Sequence, residues 1–237
     1  MAVVAGVDGA KGGWIVVRWD LDRDETAPAL ARAFSEVLSL VAGCALTLLD
    51  MPIGLLDAAQ HGGRECDRAA RCVLKPHGSR VFSPPARPTL RASSFDEAKR
   101  INRGSSPHGL GLSIQTYCIL PKLRDVDEAM TPALQERVRE SHPEVAFARL
   151  NGGIPLASKK KSSTGRAKRR ELLVRAGVPG VDGALAGIAS LGGVAADDLL
   201  DAFVLAEVAR RAFCGCAKTL PADPRRDSRR LRMEIWY

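Results

Sequence analysis

The chain has 237 residues, of which 46% are hydrophobic and 26% charged, and its formal net charge is +8 at pH 7. This length fits one large domain or two small ones with a sizeable core, and the excess of positive charge suits a polyanionic partner. Six scattered cysteines exclude a dense disulfide framework and favour reduced thiols. The start lacks a signal-peptide pattern, and the longest apolar region, 37–49, is too short to span a bilayer. We therefore expect a cytoplasmic protein with no membrane partner.

The first apolar run of the chain ends at Asp8 and is followed by a glycine-rich turn and a second apolar run. This pattern predicts a β-hairpin of residues 2–8 and 13–19, with Asp8 at the end of its first strand. Burying a carboxylate there is costly unless a positive group meets it. A metal ion or a basic side chain such as Lys11 could be that group. The alternative is an aspartate that only caps the turn.

A later apolar run, residues 44–49, also ends at a carboxylate, Asp50, and Pro52 terminates the strand. Between the hairpin and this later run, the sequence predicts a strand near 28–33 and a helix over 36–42. Ligands of α/β sheets bind at the edge beyond the carboxyl ends of the strands. Asp8 and Asp50 are therefore expected at one such edge.

Residues 57–130 are broken by many glycines and prolines and are predicted to form an insertion away from the sheet, with helices near 64–74 and 94–102. Within it, Arg64 and Arg71 could contact phosphate or could form a structural ion-pair network with their acidic neighbours. A further helix is predicted to start at residues 130–132.

A short strand near 138 leads to Glu140, His142 and Glu144, with Pro143 in the first turn of a helix. His142 could act as a general base or orient a water molecule, or it could simply be bonded to backbone in a turn. Glu144 could be a metal ligand or a helix cap. Both are retained as candidate catalytic residues.

Residues 158–175 contain eight Lys or Arg and one Glu, so the basicity is concentrated there. A loop with Gly165 beside dense cations suits a flexible clamp on a phosphate chain, although a solvated loop explains the same pattern. Few aromatic residues accompany these cations, which gives no indication of base stacking. The candidate phosphate contacts are Lys159, Lys160, Lys161, Arg166 and Arg169.

The strongest predicted helix, 197–213, begins with three aspartates. Asp198 and Asp201 are spaced i, i+3 and so share one face. Helix capping accounts for Asp197 or Asp198 but poorly for Asp201, which heads into an apolar stretch. Hard divalent cations prefer oxygen ligands, and two ions can bind both the attacking and the leaving oxygen of a phosphodiester. The predicted metal ligands, also predicted as catalytic, are Asp8, Asp50, Asp198 and Asp201.

The order of these features resembles the RNase H-like fold of the retroviral-integrase superfamily, and the late-helix spacing resembles RuvC-type Holliday-junction resolvases. Over nearly its full length the chain resembles an uncharacterised family of predicted RNase H-like nucleases, domain-of-unknown-function family 429. The resembling pieces are Gly6-Val7-Asp8-Gly9 with Gly12-Gly13-Trp14, Asp50-Met51-Pro52-Ile53-Gly54-Leu55, Arg64-x-Cys66-Asp67 with Arg71, Arg80-Val81-Phe82, Gly111-x-Ser113-x-Gln115, Glu140-x-His142-Pro143-Glu144, Lys160-Lys161 with Gly165 and Arg169, and Asp197-Asp198-x-x-Asp201-Ala202.

This resemblance implies a single α/β domain, 1–237, with a central mixed β-sheet flanked by helices and a helical and loop insertion after the fourth strand. It implies a nuclease that cuts DNA or RNA with two Mg²⁺ or Mn²⁺ ions. Two alternatives stay open: a phosphotransferase of the actin-like type, which shares a first strand ending in Asp-Gly, and a non-catalytic nucleic-acid-binding module. The oligomeric state is left open, a homodimer included.

Overall fold

The computed structural model describes residues 2–237 and contains a five-stranded mixed sheet. Its strands lie side by side in the order β3-β2-β1-β4-β5. The first three form an antiparallel meander, whereas β4 and β5 run parallel to β1. The strand bounds are β1 Val3–Ala10, β2 Gly13–Asp20, β3 Glu25–Ala31, β4 Leu46–Leu49 and β5 Val138–Glu140, and a separate antiparallel pair consists of β6 Thr219–Leu220 and β7 Ile235–Trp236.

Helices cover both faces of the sheet, and none of those in residues 2–237 is long and apolar enough to cross a bilayer. The helices are α1 Phe34–Leu40, α2 Glu65–Val73, α3 Phe95–Ser105, α4 Ile114–Cys118, α5 Leu120–Ala129, α6 Pro143–Leu150, α7 Ser163–Arg175, α8 Val181–Ala186 and α9 Ala196–Phe213.

Strand alternation divides the core into two layers. Val4 of β1 and Leu48 of β4 belong to the layer that packs against α9, whereas Val7 and Leu49 belong to the layer that packs against α1 and α5. Successive side chains of a strand point to opposite faces. Asp8 lies four residues after Val4, and Asp50 two after Leu48, so both carboxylates fall on the α9 face.

Gly6 allows α9 to lie directly against β1. A Cβ atom at this position would come within 2.1 Å of the Ala202 carbonyl oxygen and 2.2 Å of the Ala206 nitrogen. Only glycine permits so close a backbone contact. Asp198 lies one helical turn before Ala202, so this contact sets the first turn of α9 over the end of β1.

The predicted hairpin, the strand before Asp50 and the helices at 64–74, 94–102 and 197–213 are confirmed, with small shifts of their ends. One expectation is wrong. The residues after Met130 form only a 3₁₀ turn, Leu134–Glu136, because the connection to β5 is short. The insertion also does more than leave the sheet, since Leu120, Leu123 and Val126 of α5 are buried in the second core layer.

Candidate functional site

Asp8 and Asp50 lie side by side at one edge of the sheet. Val7 of β1 pairs with Leu49 of β4, and the Asp50 N–H donates to the Val7 carbonyl at 2.9 Å. One step further in this parallel register, Asp8 stands next to Asp50. The carboxyl ends of β1, β4 and β5 all meet at this edge, which is where α/β sheets bind ligands.

The first turns of α9 add Asp198 and Asp201 above the same edge. The residue that caps α9 is Ala195, which has no side-chain capping group, so none of the three aspartates acts as the N-cap. Asp201 is 1% exposed and Asp197 is 5% exposed. Asp197 and Asp198 lie in the first turn, where the helix dipole favours acidic side chains, but neither is the N-cap, and buried Asp201 lies beyond that turn.

Two of the four carboxylates each keep one buried oxygen without a hydrogen-bond partner. These are Asp8 Oδ2 and Asp201 Oδ1, whereas Asp8 Oδ1 accepts from the Gly9 N–H at 2.8 Å. Burial, together with repulsion from Asp50 and Asp201, raises the pKa of Asp8 well above its ordinary value. Burial likewise raises the pKa of Asp201 and of Asp198. Buried carboxylate oxygens without a hydrogen-bond partner favour binding of a cation.

Lys160 is the basic side chain that reaches this cluster. Its Nζ atom donates to Asp201 Oδ2 at 2.7 Å and lies 4.0 Å from Asp198 Oδ1. Burial alone would lower the pKa of the ammonium group, but the charges of Asp201 and Asp8 outweigh it and raise the pKa. Lys160 was expected to contact phosphate, and in this structure it is also the counterion of the carboxylates.

The donor set suits a hard divalent cation, because all four candidate ligands are carboxylates and two of their buried oxygens are free. Within residues 2–237, however, no three His, Cys, Asp or Glu side chains are grouped so that they could hold a metal ion as they stand. The Lys160 ammonium group lies on the Asp198–Asp201 side of the cluster.

A cleft of about 410 Å³ opens next to the carboxylates and is lined by Asp50, Arg80, Phe82, His142, Pro143, Glu144, Lys159, Lys160 and Asp201. His142 lines this cleft, and its Nδ1 atom is buried without a hydrogen-bond partner. Phe82 is 39% exposed in the same cleft. Its ring supplies the aromatic surface that the sequence did not indicate.

Glu144 and Arg169 are joined to each other by an ion pair. Glu144 Oε2 accepts from Arg80 at 2.6 Å, and Oε1 accepts from Arg169, so both oxygens are occupied. Arg169 is fully buried, also donates to the Gly165 carbonyl, and stacks over Phe147. The prediction of Arg169 as a phosphate contact is wrong for this reason, and Glu144 is not free to bind a metal ion.

Arg64 and Arg71 are held by the protein itself. Arg64 is 1% exposed, and its guanidinium donates to Asp67 and Glu140 at 2.7 and 2.6 Å. Arg71 donates to the carbonyls of Gly62 and Val81 and to the Ser83 hydroxyl. Arg64 therefore belongs to a buried ion-pair network and does not contact nucleic acid. Arg71 links the loop at Gly62 to the loop at Val81 and Ser83.

The exposed part of the basic segment is smaller than its composition suggests. Lys159 and Lys161 are exposed, and Lys159 lines the cleft. Arg166 is half-buried and donates to the Lys161 carbonyl. Gly165 is buried inside α7, where a Cβ would lie 2.0 Å from the Lys159 carbonyl oxygen, so it is a packing residue and not a flexible hinge.

Residues 6–226 match the family described as Protein of unknown function (DUF429). The chain belongs to the DUF429 family. No curated protein and no solved structure matches it. All four carboxylates of this DUF429 chain, together with Lys160 and His142, lie inside the matched range.

Sequence reasoning missed one lysine of this DUF429 site. Lys122 of α5 donates to the carbonyls of Ala10 and Gly13 and lies 4.6 Å above the Trp14 ring. Burial lowers the pKa of Lys122, while the charges of Asp8 and Asp198 act in the opposite direction. A single lysine on an amphipathic helix carries no signal in the sequence, so only the packing of α5 beneath the hairpin turn identifies it.

Proposed function

We propose that this protein is a metal-dependent phosphodiester hydrolase that cleaves DNA or RNA. The observation that carries the proposal is the convergence of four carboxylates at one sheet edge, with buried unpaired oxygens on Asp8 and Asp201. The strand order β3-β2-β1-β4-β5, with β1–β3 antiparallel and β4 and β5 parallel to β1, supports an RNase H-like fold. The proposed cofactor is Mg²⁺ or Mn²⁺.

Asp8, Asp50, Asp198 and Asp201 would form the metal site. A bound divalent ion would lower the pKa of a water molecule and stabilise charge on the phosphate. His142 lines the cleft and is the proposed acceptor of the water proton. The water oxygen forms a new bond to phosphorus, the ester P–O bond breaks, and the leaving oxygen takes up a proton.

The charges around the cleft fit a nucleic-acid strand. Lys159 is exposed and lines the cleft beside the carboxylates, and Phe82 offers a ring on which a base can stack. Arg80 also lines the cleft, but its guanidinium is held by Glu144 and two backbone carbonyls. The carboxylates alone would repel a polyanion, so Lys159 is the cation proposed to hold a phosphate beside the reacting one.

The test is cleavage of labelled single- and double-stranded DNA and RNA oligonucleotides with Mg²⁺ or Mn²⁺. We expect Asp8→Asn and Asp201→Asn each to lower the rate about a hundredfold or more, because loss of even an outer-shell partner of a metal costs about 10–100-fold. Asp125→Asn, an exposed aspartate on α5, is the matched control.

Full activity in Asp8→Asn would remove that residue from the site. Binding of nucleic acid without cleavage in any metal would favour the non-catalytic module. Transfer of a phosphoryl group from a nucleotide would favour the actin-like phosphotransferase.

A further inference from the structure

A second cavity, of about 280 Å³, lies next to the carboxylate cleft. Its lining residues all fall between Leu56 and Thr116, so it is built by the insertion. Phe82 lines both the cavity and the cleft and is 39% exposed. A group bound in the cavity would therefore be a direct neighbour of a phosphate bound in the cleft.

Two buried or half-buried side chains hold the walls of this cavity together. Asn102 is 3% exposed; its carbonyl oxygen accepts from the Ala86 N–H at 3.0 Å, and its amide nitrogen donates to the Leu110 carbonyl at 3.0 Å. Arg71 of α2 donates to the Ser83 hydroxyl at 2.8 Å on another wall. Both braces belong to the protein itself, so the cavity has its shape without any contribution from a ligand. A preformed site loses less free energy to ordering when it binds.

The lining of the cavity suits a flat, uncharged group. Phe82, Pro84 and Leu112 supply apolar surface. Among the described residues that line it, the ionisable ones are His61 and Arg64, and the Arg64 guanidinium is bound in the buried ion-pair network. Ligand pockets typically combine mostly apolar walls with a few polar groups and start at about 300 Å³. The cavity therefore fits one ring system rather than a phosphate or a length of polymer.

Two uncharged polar side chains of the lining keep unused bonding capacity. The exposed Gln60 amide makes no hydrogen bond within residues 2–237 and offers both a donor and an acceptor. The Ser83 hydroxyl accepts from Arg71, which leaves its proton available to a further partner. The edge of a nucleobase carries donors and acceptors of the same kind. A base could thus be held by its faces and by its edge.

We propose that this cavity is a nucleobase subsite, which takes one unpaired base of the strand whose phosphate lies in the carboxylate cleft. Phe82 stacks on that base, and Gln60 bonds to its edge. The inference rests on the proposed function and narrows its substrate to DNA or RNA with unpaired bases. A base inside a duplex has its faces stacked and its pairing edge occupied, so it must leave the helix before it can enter such a pocket.

The experiment measures binding by fluorescence anisotropy, in EDTA and again with Ca²⁺. The probes are a labelled single-stranded oligonucleotide, its blunt duplex, and a single strand of the same length with abasic nucleotides. Wild type is expected to bind the single strand with bases about tenfold or more tightly than the abasic strand, because stacking of one base on an aromatic ring has an effect of that size.

The variants locate the base. Phe82→Ala should weaken binding of the single strand about tenfold, and Gln60→Ala, which removes a bond to the base edge, about threefold to tenfold. Gln115→Ala is the matched control, because Gln115 is also an exposed glutamine of the insertion but does not line the cavity. All three variants should bind the abasic strand and the duplex as wild type does.

Equal affinity of wild type for the strands with and without bases would overturn the subsite, and the cleavage assay would still decide the hydrolase assignment. Weaker binding in Phe82→Ala with unchanged binding in Gln60→Ala would place the base in the carboxylate cleft and would also overturn it. Base-dependent binding that Gln60→Ala weakens, without cleavage in any metal, would support the subsite and remove the hydrolase assignment. Failure to bind any of the oligonucleotides would overturn both.

Discussion

Replacing Gly6 with alanine is expected to move α9, which carries Asp198 and Asp201, away from β1, which carries Asp8. The new Cβ would lie 2.1 Å from the Ala202 oxygen and 2.7 Å from the Leu205 carbonyl carbon. Both contacts are with backbone, so no side chain can rotate away. Since ordinary heavy-atom contacts lie at about 3.5 Å, α9 must retreat from β1 by roughly 1.4 Å.

The cost of this retreat follows from how α9 is packed. Overpacking a core typically costs about 1–3 kcal/mol, and a gap of 0.5–1 Å forfeits about a quarter to a half of each dispersion contact. Most of α9 is buried, so we expect a loss of about 3 kcal/mol or more. With a urea m-value of about 3 kcal/mol/M, the unfolding midpoint would fall by about 1 M.

The assay is urea unfolding followed by circular dichroism, with and without Mn²⁺. Gly9→Ala is the matched control in the same strand, because its nearest neighbour would be the flexible end of Lys122 at 3.4 Å. We expect that control to change stability by less than about 1 kcal/mol. In Gly6→Ala, Mn²⁺ should also stabilise less, since Asp198 and Asp201 move away from Asp8. If Gly6→Ala kept the wild-type free energy of unfolding and the wild-type stabilisation by Mn²⁺, the close contact between β1 and α9 would not be what positions the carboxylates.

Three further predictions concern charge. Because the pKa of Asp8 is raised in the folded state, its contribution to stability is present below the ordinary pKa and is lost as pH rises. Asp8→Asn should therefore be increasingly more stable than metal-free wild type toward high pH, by at most about 1.4 kcal/mol per pH unit. Urea unfolding at pH 5 and 8 measures this, and a pH-independent difference would contradict it. Arg64→Met should lose about 3–5 kcal/mol, because it leaves buried Glu140 unpaired. Neutralising Lys159 and Lys161 should leave the free energy of unfolding unchanged. It should flatten the slope of log K against log salt for nucleic-acid binding by about one unit per lost contact. A changed free energy of unfolding with an unchanged salt slope would mean that these lysines stabilise the fold and do not contact nucleic acid.

The sequence by itself determined the elements that depend on local pattern. Apolar runs ending at Asp8 and Asp50 identified the strands that carry these residues, because the sequence pattern of a strand is local: a short apolar run followed by residues that end it. The i, i+3 spacing placed Asp198 and Asp201 on one helix face. In the structure, the Lys160 ammonium group donates to Asp201 Oδ2 at 2.7 Å.

Only the tertiary structure decided which cations meet which carboxylates. Arg64, Arg169 and Lys160 look alike in the sequence as members of basic segments, yet the first two are buried against Glu140 and Glu144. Lys122, 112 residues after Ala10, reaches the hairpin turn through the packing of α5. Ion pairing is set by distances across the fold, which local periodicity does not encode, so composition located the charge while packing assigned each charge its partner.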